Sequence, residues 1–577
     1  MALFAFMSIP YRPIFPLLMV AGWLTTSHFG PWISWHSEWP FFAVAAAMAA
    51  ALVWRRGGIL AGWPAGAGAL VLLGGLALAQ LAAGLISSHG QLVVVWLYVA
   101  LALVGVAWGV AEPSRPGPLT EVPGEWLAWT LVVGATLLWF VMMAQVLVLW
   151  EGYPAIMRMP FETRPGGNLG QPNHAATLLV MALASTWYLW RAGRLGWLVG
   201  VALAWLFASG IAVTESRGGL LAVLVLVAWG GYRVFCLPRR WTNLSGLAAM
   251  AVLQVGLFLA WPHFFSAWRM SSVLPLSGAA RLAESGSDAR WTVWAQLWDA
   301  SWLQPWTGWG IRNTAVAHNA VAHEGVFSLP LTYSHNLALD LVVWLGWPVG
   351  GLMVAGAAFW MLRQMVARHD TLGLFGMALV IPFAVHSLLE FPFAYAYLLL
   401  PAMVGVGYVE RSGVTLLRLP GLRVATALSG LFVLVVGTWS VVDYLRVEED
   451  FRTARFQMLR IGPAPMEPPP RILLLDQLDE MVQSSRIDIR PDLSPRELDR
   501  LRRVALHNPW SGTQYRYAMA LALTGARQEA ERQLQVMQAQ HGARVERPLR
   551  RQIDEALIKH GMPPLPARPL DLEGGLR

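Results

Sequence analysis

The sequence has few charged residues and almost no cysteine, and each scarcity narrows the class of protein. Only 13% of its 577 residues are charged, whereas an average soluble domain has roughly 25%. A water-soluble globule of this length could not cover its surface with so few charges. The single cysteine, Cys236, excludes an intramolecular disulfide and any metal or iron–sulfur site that needs several thiolates.

Hydrophobic residues and tryptophan are abundant instead. Hydrophobic residues make up 56% of the chain, and tryptophan occupies 31 positions. The amphipathic indole ring of tryptophan is common where a bilayer meets water. The formal net charge of +8 comes from arginines spread as short clusters between apolar runs. Membrane topology explains this distribution better than a nucleic-acid footprint does.

Long apolar runs recur as far as residue 441, and each can cross a bilayer as a helix. The sequence therefore predicts an all-α, polytopic membrane protein of about thirteen transmembrane helices. Since the first run lacks a basic n-region and a cleavage site, we expect it to be retained. The predicted spans lie near 13–29, 39–54, 67–88, 91–111, 126–150, 173–190, 195–213, 218–235, 243–261, 337–361, 371–389, 392–410 and 422–441.

The placement of arginine predicts the orientation of these spans. Every second loop contains arginine, whereas the short loops near Ser37, His89 and Glu390 contain none. Loops rich in arginine face the cytoplasm in a bacterial inner membrane. This parity puts two long connections, 151–172 and 262–336, in the periplasm. The arginine-containing loops are those at Arg12, Arg55, Arg56, Arg115, Arg191, Arg194, Arg233, Arg239, Arg240, Arg363, Arg368, Arg411, Arg418 and Arg423.

Composition divides the chain into a transmembrane domain, 1–441, with its large periplasmic loop 262–336, and a periplasmic soluble tail, 442–577. The tail holds 21 of the 42 basic residues, including the only lysine, Lys559. Proline-rich residues 463–470 predict a linker. Residues 515–540 predict two amphipathic helices around Gly525, either a tetratricopeptide-like unit or a plain helical cap.

Arginines also occur on the predicted outer face, where the preference of arginine for cytoplasmic loops does not explain them. Another role is therefore needed. Binding an anion is the obvious role for a guanidinium. These residues are Arg158, Arg164, Arg217, Arg269, Arg281, Arg290 and Arg312.

The first polar cluster ends the loop 151–172 at the mouth of the sixth span. Glycines in 166–170 permit a close backbone approach, and Gln171, Asn173 and His174 supply hydrogen-bonding groups. An ordinary turn in which Asn173 caps the helix is the alternative.

The second cluster, 214–219, opens the eighth span with Arg217 beside small residues. A guanidinium and free backbone N–H groups at a helix N-terminus both favour a phosphate. The alternative is a snorkelling arginine paired with Glu215.

The third cluster lies in the loop 262–336. Trp291, Trp294 and Trp298 share one helical face, which predicts an interfacial helix that starts near Arg290. Beyond the turn Gly-Trp-Gly at 308–310 and Arg312, the loop returns to the membrane at Ser-His-Asn, 334–336.

His335 can act as a base near neutral pH, with Ser334 and Asn336 fixing its ring, or it can be a structural hydrogen-bonding residue. His318 and His323 have poor spacing for metal ligands. The fourth cluster ends the eleventh span with His386, Glu390 and Tyr395. An ionisable residue in a span is a functional candidate.

Six motifs in this order resemble the bacterial O-antigen ligase and polymerase superfamily. They are residues 166–174, Ser-Arg-Gly at 216–218, Arg-Trp at 290–291, Gly-Trp-Gly at 308–310, Ser-His-Asn at 334–336 and His-Ser-Leu-Leu-Glu-Phe-Pro at 386–392. The first and last resemble the PglL-type pilin O-oligosaccharyltransferases. Phe391 departs from that pattern, which has tyrosine between the glutamate and the proline.

The resemblance implies a GT-C-like, inverting membrane glycosyltransferase. Its donor would be a glycan on undecaprenyl pyrophosphate, and its acceptor a periplasmic hydroxyl, most simply a Ser or Thr of a pilin or another protein. Arg217 and Arg290, then Arg312, would neutralise the leaving pyrophosphate. His335 would orient or deprotonate the acceptor.

The remaining motif residues would bind substrate: Gln171, Asn173, His174, Asn336, His386, Glu390 and Tyr395. Neither a cofactor nor a metal is expected, because the outer loops have no carboxylate cluster for magnesium. Two rival functions stay open. One is a sister enzyme that ligates O-antigen to lipid A-core or polymerises it, and the other is a lipid-linked glycan transporter. The polar clusters at one membrane face favour surface chemistry over transport.

Overall fold

The computed structural model describes residues 11–28, 34–54, 63–112, 122–149, 153–158, 164–235, 240–269, 286–322, 329–411, 421–458 and 468–566. Within these ranges the chain is α-helical, without a strand, and the predicted fold class is confirmed. Among the predicted features, Cys236, Arg281, His323, the loop arginines Arg55, Arg56, Arg115, Arg239 and Arg418, and residues 463–467 of the linker lie outside the described residues.

Every predicted span corresponds to a helix. The first nine are α1 (Tyr11–Leu24), α2 (Trp35–Trp54), α3 (Ala65–Ala82), α4 (His89–Ala111), α5 (Glu125–Val146), α6 (Pro172–Arg191), α7 (Trp197–Val213), α8 (Arg217–Phe235) and α9 (Arg240–Arg269). The long loop contains α10 (Gly286–Leu303) and α11 (Thr314–Val321). The later spans are α12 (Leu337–Val366), α13 (Thr371–Ser387), α14 (Ala396–Glu410) and α15 (Leu422–Phe432), which continues through a π-helix (Val433–Gly437) into α16 (Thr438–Met458).

Length and composition make many of these helices suitable for a bilayer. Among the described residues, eight helices are long and apolar enough to cross a membrane, and four shorter apolar helices accompany them. The protein is therefore a multi-pass membrane protein. The figure of thirteen spans stays a prediction.

Small residues bring the central helices into backbone contact. A Cβ atom on Gly109 of α4 would stand 2.8 Å from the Cα atom of Gly407 in α14. A Cβ on Gly376 of α13 would stand 2.5 Å from the carbonyl oxygen of Gly405 in α14. In lipid the hydrophobic effect does not favour contact between helices, so close backbone packing of this kind drives their association.

The tenth predicted span is interrupted. Gly346 of α12 adopts φ 76°, which breaks the helix and frees the carbonyls of the preceding turn. The backbone N–H of Trp309 donates to the Val343 carbonyl at 2.8 Å. The N–H of Gly310 donates to the Trp344 carbonyl at 3.1 Å. The Gly-Trp-Gly motif therefore donates backbone hydrogen bonds to the carbonyls that the break in α12 leaves free.

The tail continues directly from the last span, because α16 runs across the predicted boundary at Val441. It then forms α17 (Asp476–Arg486), α18 (Pro495–His507), α19 (Ser511–Leu523), α20 (Arg527–His541) and α21 (Ala543–Lys559). The helices α19 and α20 form the predicted pair, with Gly525 at φ 91° in the turn between them. The tail packs around its own apolar core, which includes Leu521 and Leu534.

Candidate active site

A single carboxylate joins three of the predicted clusters. The Nη2 atom of Arg290 donates to Glu390 Oε1 at 2.7 Å, and His335 Nδ1 lies 2.5 Å from Glu390 Oε2. Asn173 Nδ2 also donates to Glu390 Oε1, at 3.2 Å. The structure therefore assembles in one network residues that lie 55 to 217 positions apart in the chain.

The electrostatics of Glu390 follow from these partners. Burial acts to raise the pKa of Glu390, but the hydrogen bond and charge of His335 and the charge of Arg290 outweigh it. The pKa therefore lies below the usual value for a glutamate. Glu390 remains a carboxylate that can accept a hydrogen bond from the imidazole and orient it.

The His335 ring projects from a strained turn. His335 adopts φ 60°, a conformation that a non-glycine residue keeps only when its surroundings enforce it. Asp340 Oδ1 accepts from the Ser334 N–H at 3.0 Å, and Trp294 Nε1 donates to the Ser334 carbonyl at 2.8 Å. These two contacts clamp the residue that precedes the histidine.

The expectation that Ser334 and Asn336 fix the imidazole is wrong. Asn336 caps α12 by accepting from the N–H groups of Ala338 and Leu339, and the Ser334 hydroxyl bonds to the Asn336 backbone. The short side chains of Ser334 and Asn336 form hydrogen bonds with nearby backbone groups. The imidazole of His335 is held by Glu390 instead. Sequence reasoning missed Asp340, although an acidic residue in the first turn of an apolar span was a visible signal.

Asn173 does not cap α6, contrary to the alternative for the first cluster. Gln171 caps it by accepting from the N–H groups of Asn173 and His174, at 2.5 and 3.1 Å. The Asn173 side chain is thus free to reach Glu390, and its Oδ1 accepts from Ser216 Oγ at 2.7 Å. The first two predicted clusters are joined by this bond.

Arg217 is the first residue of α8 and its side chain is exposed. Ser216 caps this helix by accepting from the Gly219 N–H at 3.0 Å. Within the described ranges Arg217 forms no ion pair or side-chain hydrogen bond, so the predicted alternative of pairing with Glu215 is wrong. The guanidinium and the helix N-terminus remain available to an anion.

A cavity of about 520 Å³ is lined by His335, whereas Arg290 and Glu390 do not line it. Arg312, Phe391 and Tyr395 line it together with His335. Arg312 adopts φ 69° and has no ion-pair or hydrogen-bond partner for its side chain among the residues that the structure describes. Its guanidinium is thus an uncompensated positive charge in the wall of the cavity.

Two predicted substrate-binding residues lie inside the helix bundle instead of on the cavity. His174 is buried, with Nδ1 at 2.7 Å from the Tyr397 hydroxyl. His386 is buried too, and Thr177 Oγ1 lies 2.7 Å from its Nδ1. The two imidazoles meet edge to face, with ring centroids 5.3 Å apart. The two histidines therefore pack inside the bundle and do not line the cavity.

A further carboxylate that sequence reasoning missed positions Tyr395. Glu38, fully buried in α2, accepts from the Ala396 N–H at 2.6 Å and from the Tyr98 hydroxyl at 2.8 Å. Tyr395 itself supplies no side-chain cap to α14. Glu38 therefore satisfies the first turn of α14 and fixes the backbone next to Tyr395.

The tryptophan face of α10 differs in part from the prediction. Trp291 and Trp298 are exposed, at 64% and 49%, whereas Trp294 is half-buried by its bond to Ser334. Val293 and Leu297 form the buried face of the helix. Trp294 therefore supports the His335 turn, and only its two neighbours remain available for an interface.

Three family models match successive parts of the chain. A protein glycosylation ligase model matches residues 165–190, an O-antigen ligase model matches 202–354, and the C-terminal model of a virulence factor membrane-bound polymerase matches 374–552. A general O-oligosaccharyltransferase of Acinetobacter baylyi is 24% identical over 536 residues, which cover 91% of each chain. A ComP-specific O-oligosaccharyltransferase of the same organism is 25% identical over 306 residues, about half of each chain.

The chain is a membrane enzyme of the glycosyltransferase type. Its predicted resemblance to the O-antigen ligases, and within them to the protein glycosylation ligases, is confirmed. The matched segments of the enzyme meet at the network described above. The first contains Asn173, the second Arg290 and His335, and the third Glu390 together with most of the tail.

Proposed function

We propose that the enzyme transfers a glycan from undecaprenyl pyrophosphate to a Ser or Thr hydroxyl of a periplasmic protein, with inversion and without a metal. The observation that carries this proposal is the His335–Glu390–Arg290 network, which Asn173 links to Ser216, the residue before the exposed Arg217. A base held by a carboxylate, next to fixed cations, suits attack by a hydroxyl on a sugar phosphate. Both curated relatives are O-oligosaccharyltransferases by name.

The cations serve the leaving group. Negative charge develops on the pyrophosphate oxygen as the sugar C1–O bond breaks, and preorganised donors stabilise that charge without reorganisation. Arg217 and the N–H groups at the start of α8 provide one such site. Arg290 provides another, since 44% of its side chain stays exposed beside Glu390.

His335 serves the acceptor. A carboxylate only accepts hydrogen bonds, so the contact with Glu390 places the proton on Nδ1 and leaves the lone pair on Nε2. The acceptor hydroxyl oxygen forms the new bond to C1, and its proton passes to Nε2. The C1–O bond to the pyrophosphate breaks, and lipid pyrophosphate leaves with the bonding electron pair. The proton on His335 then returns to the solvent or to the released phosphate.

The match to the O-antigen ligase model favours one second candidate, transfer to lipid A-core. Both reactions use the same donor and the same base, so the network alone cannot separate them. The two relatives named as O-oligosaccharyltransferases, one of them aligned over nearly the whole chain, favour the protein acceptor.

A reconstituted reaction tests the proposal. Purified enzyme is mixed with lipid-linked glycan and with either a pilin or lipid A-core, and product is followed by mass spectrometry. We expect glycan on the pilin, none on lipid A-core, and unchanged transfer in EDTA. Modification of lipid A-core alone would refute the protein acceptor. Loss of activity in EDTA, restored by a divalent ion, would refute the metal-free mechanism.

A further inference from the structure

The cavity beside His335 has a second wall that comes from the tail. Glu480 of α17, Arg503 and His507 of α18 and Trp510 before α19 face the membrane-domain residues across it. The cavity is therefore closed only when both parts of the chain are present. Its volume of about 520 Å³ falls in the ~300–1,000 Å³ range of ligand pockets.

Specific contacts hold this wall in place. Asp476 Oδ1 accepts from Ser88 Oγ at 2.6 Å and from the Gly90 N–H at 2.7 Å, at the N-terminus of α4. A Cβ atom on Gly90 would stand 2.5 Å from the Leu474 carbonyl oxygen, so the tail approaches the backbone itself. His507 Nε2 lies 3.2 Å from Asn313 Oδ1 in the long loop. The wall is thus anchored on both sides of the cavity.

The position of the cavity relative to the network indicates which substrate it holds. His335 lines the cavity, whereas Arg217, Arg290 and Glu390 do not. In an inverting displacement the acceptor oxygen attacks C1 from the face opposite the leaving phosphate. Since Arg217 and Arg290, the arginines proposed for the phosphate, do not line the cavity, we assign it to the acceptor. Arg312, which does line it, is thereby reassigned from the pyrophosphate to the acceptor.

We propose that the tail-walled cavity binds the segment of the acceptor protein that carries the modified Ser or Thr, and that this segment contains an acidic residue near the hydroxyl. This inference rests on the proposed function. Arg312 is an uncompensated cation in the wall, and Arg503 is shared between Glu480 and Asp499. A carboxylate on the acceptor would neutralise the charge of Arg312 and accept a hydrogen bond from Arg503.

The other lining groups suit an extended peptide. Ser87 lines the membrane wall, where Ser88 is bonded to Asp476 and Gln91 to the long loop. Trp510, Tyr333 and Tyr395 offer aromatic surface to apolar side chains. A few residues fit in such a volume, whereas a folded domain would stay outside. We expect the tail to set acceptor affinity and the membrane network to set the rate of chemistry.

A matched pair of arginine variants tests the inference on the full-length enzyme. Arg503 and Arg550 both pair with a glutamate of a neighbouring tail helix, Glu480 and Glu531, but only Arg503 lines the cavity. Wild-type transfer to protein is measured first, with KM determined separately for acceptor and donor. We expect Arg503→Gln to raise the acceptor KM about 10- to 100-fold, as loss of a charged hydrogen bond predicts. Arg550→Gln and the donor KM should not change.

Two further measurements keep the test decisive if Arg503→Gln destabilises the tail. Trp510→Phe retains a ring at that position and should raise the acceptor KM about two- to threefold. Replacing the acidic residue of the acceptor by its amide should raise the acceptor KM for wild type but not for Arg312→Gln.

The outcomes separate the two proposals. If wild type modifies no protein, the proposed function fails and this inference fails with it. If wild type is active, a rise in donor KM instead would assign the cavity to the glycan. Equal effects in the two arginine variants, or acceptor KM values unchanged throughout, would make the tail wall structural.

Discussion

The two sides of His335 are built differently. On the Glu390 side, every partner comes from the membrane domain or its long loop, and the groups bond to one another within 2.5 to 3.2 Å. On the cavity side, a wall from the tail faces Arg312, whose charge is uncompensated among the described residues. On the first side the groups pair with one another, whereas the second combines paired groups such as Arg503 with the unpaired guanidinium of Arg312.

In the proposed reaction the two sides have different tasks. Groups that stabilise a transition state must be held rigidly before substrate arrives, because reorganisation would cost part of the rate enhancement. Groups that recognise a variable protein segment can remain unpaired until it binds. We therefore expect changes on the Glu390 side to lower kcat and changes on the tail side to raise the acceptor KM.

The largest effect is expected for His335→Ala. Loss of a general base costs about 10²–10⁴-fold in rate, while the arginines continue to bind the lipid donor. Donor binding and glycan transfer are measured on the same membrane-inserted variant. If both fall together with the yield in the membrane, His335 is structural. If transfer exceeds about a tenth of wild type, another residue takes the proton.

Glu390→Gln should rank second. The amide keeps the shape but turns the charge-assisted bonds to His335 and Arg290 into neutral ones. Each bond is then weaker by about 1 kcal/mol, so kcat should fall roughly 10- to 100-fold. The matched control is Glu410→Gln, a half-buried glutamate that accepts from the Gly66 N–H. Equal losses in the two variants would show that the effect is general destabilisation.

Arg217→Lys should lower kcat about tenfold although the charge is kept, because lysine lacks the planar bidentate contact with phosphate. Arg233→Lys, at the other end of α8, is the control. Steady-state rates at saturating acceptor give the comparison. Full activity of the Arg217 variant would mean that the residue acts only as a point charge or an anchor.

The smallest effect is expected from acid on the docking of the tail. Burial lowers the pKa of His318 from 6.5 to about 4, and its two nitrogens lie 2.9 Å from Gln296 Oε1 and 3.1 Å from Gln540 Nε2. The unfolded form takes up a proton below about pH 6.5 while the docked form does not. The stability that docking contributes is therefore complete above pH 6.5 and is lost as the pH falls towards 4.

Limited proteolysis of the tail between pH 7 and pH 4.5 measures this dependence. We expect His318→Gln, which retains a neutral hydrogen-bonding side chain, to flatten it. The pKa of His507 is also lowered by burial, so some dependence should remain in the variant. Identical profiles for wild type and His318→Gln would assign the acid sensitivity to other groups.

The sequence by itself determined the parts of the protein that local patterns encode. Apolar runs set the helices of the membrane domain, since the period and length of a span depend on neighbouring residues alone. Arginines on the face predicted to be outside and the histidine at the start of a span were sufficient to select Arg217, Arg290 and His335 as candidates. The pairing of helices around Gly525 was equally local.

Only the tertiary structure decided which of these residues lie together. Glu390 bonds to partners 55, 100 and 217 residues away, and no periodicity relates positions at such separations. For the same reason the sequence did not show whether Asn173 caps a helix or reaches a distant partner. It did not show the break at Gly346, which depends on the Gly-Trp-Gly turn, or the position of the tail on the cavity. Contacts between distant segments depend on how the helices pack, and packing is a property of the whole fold.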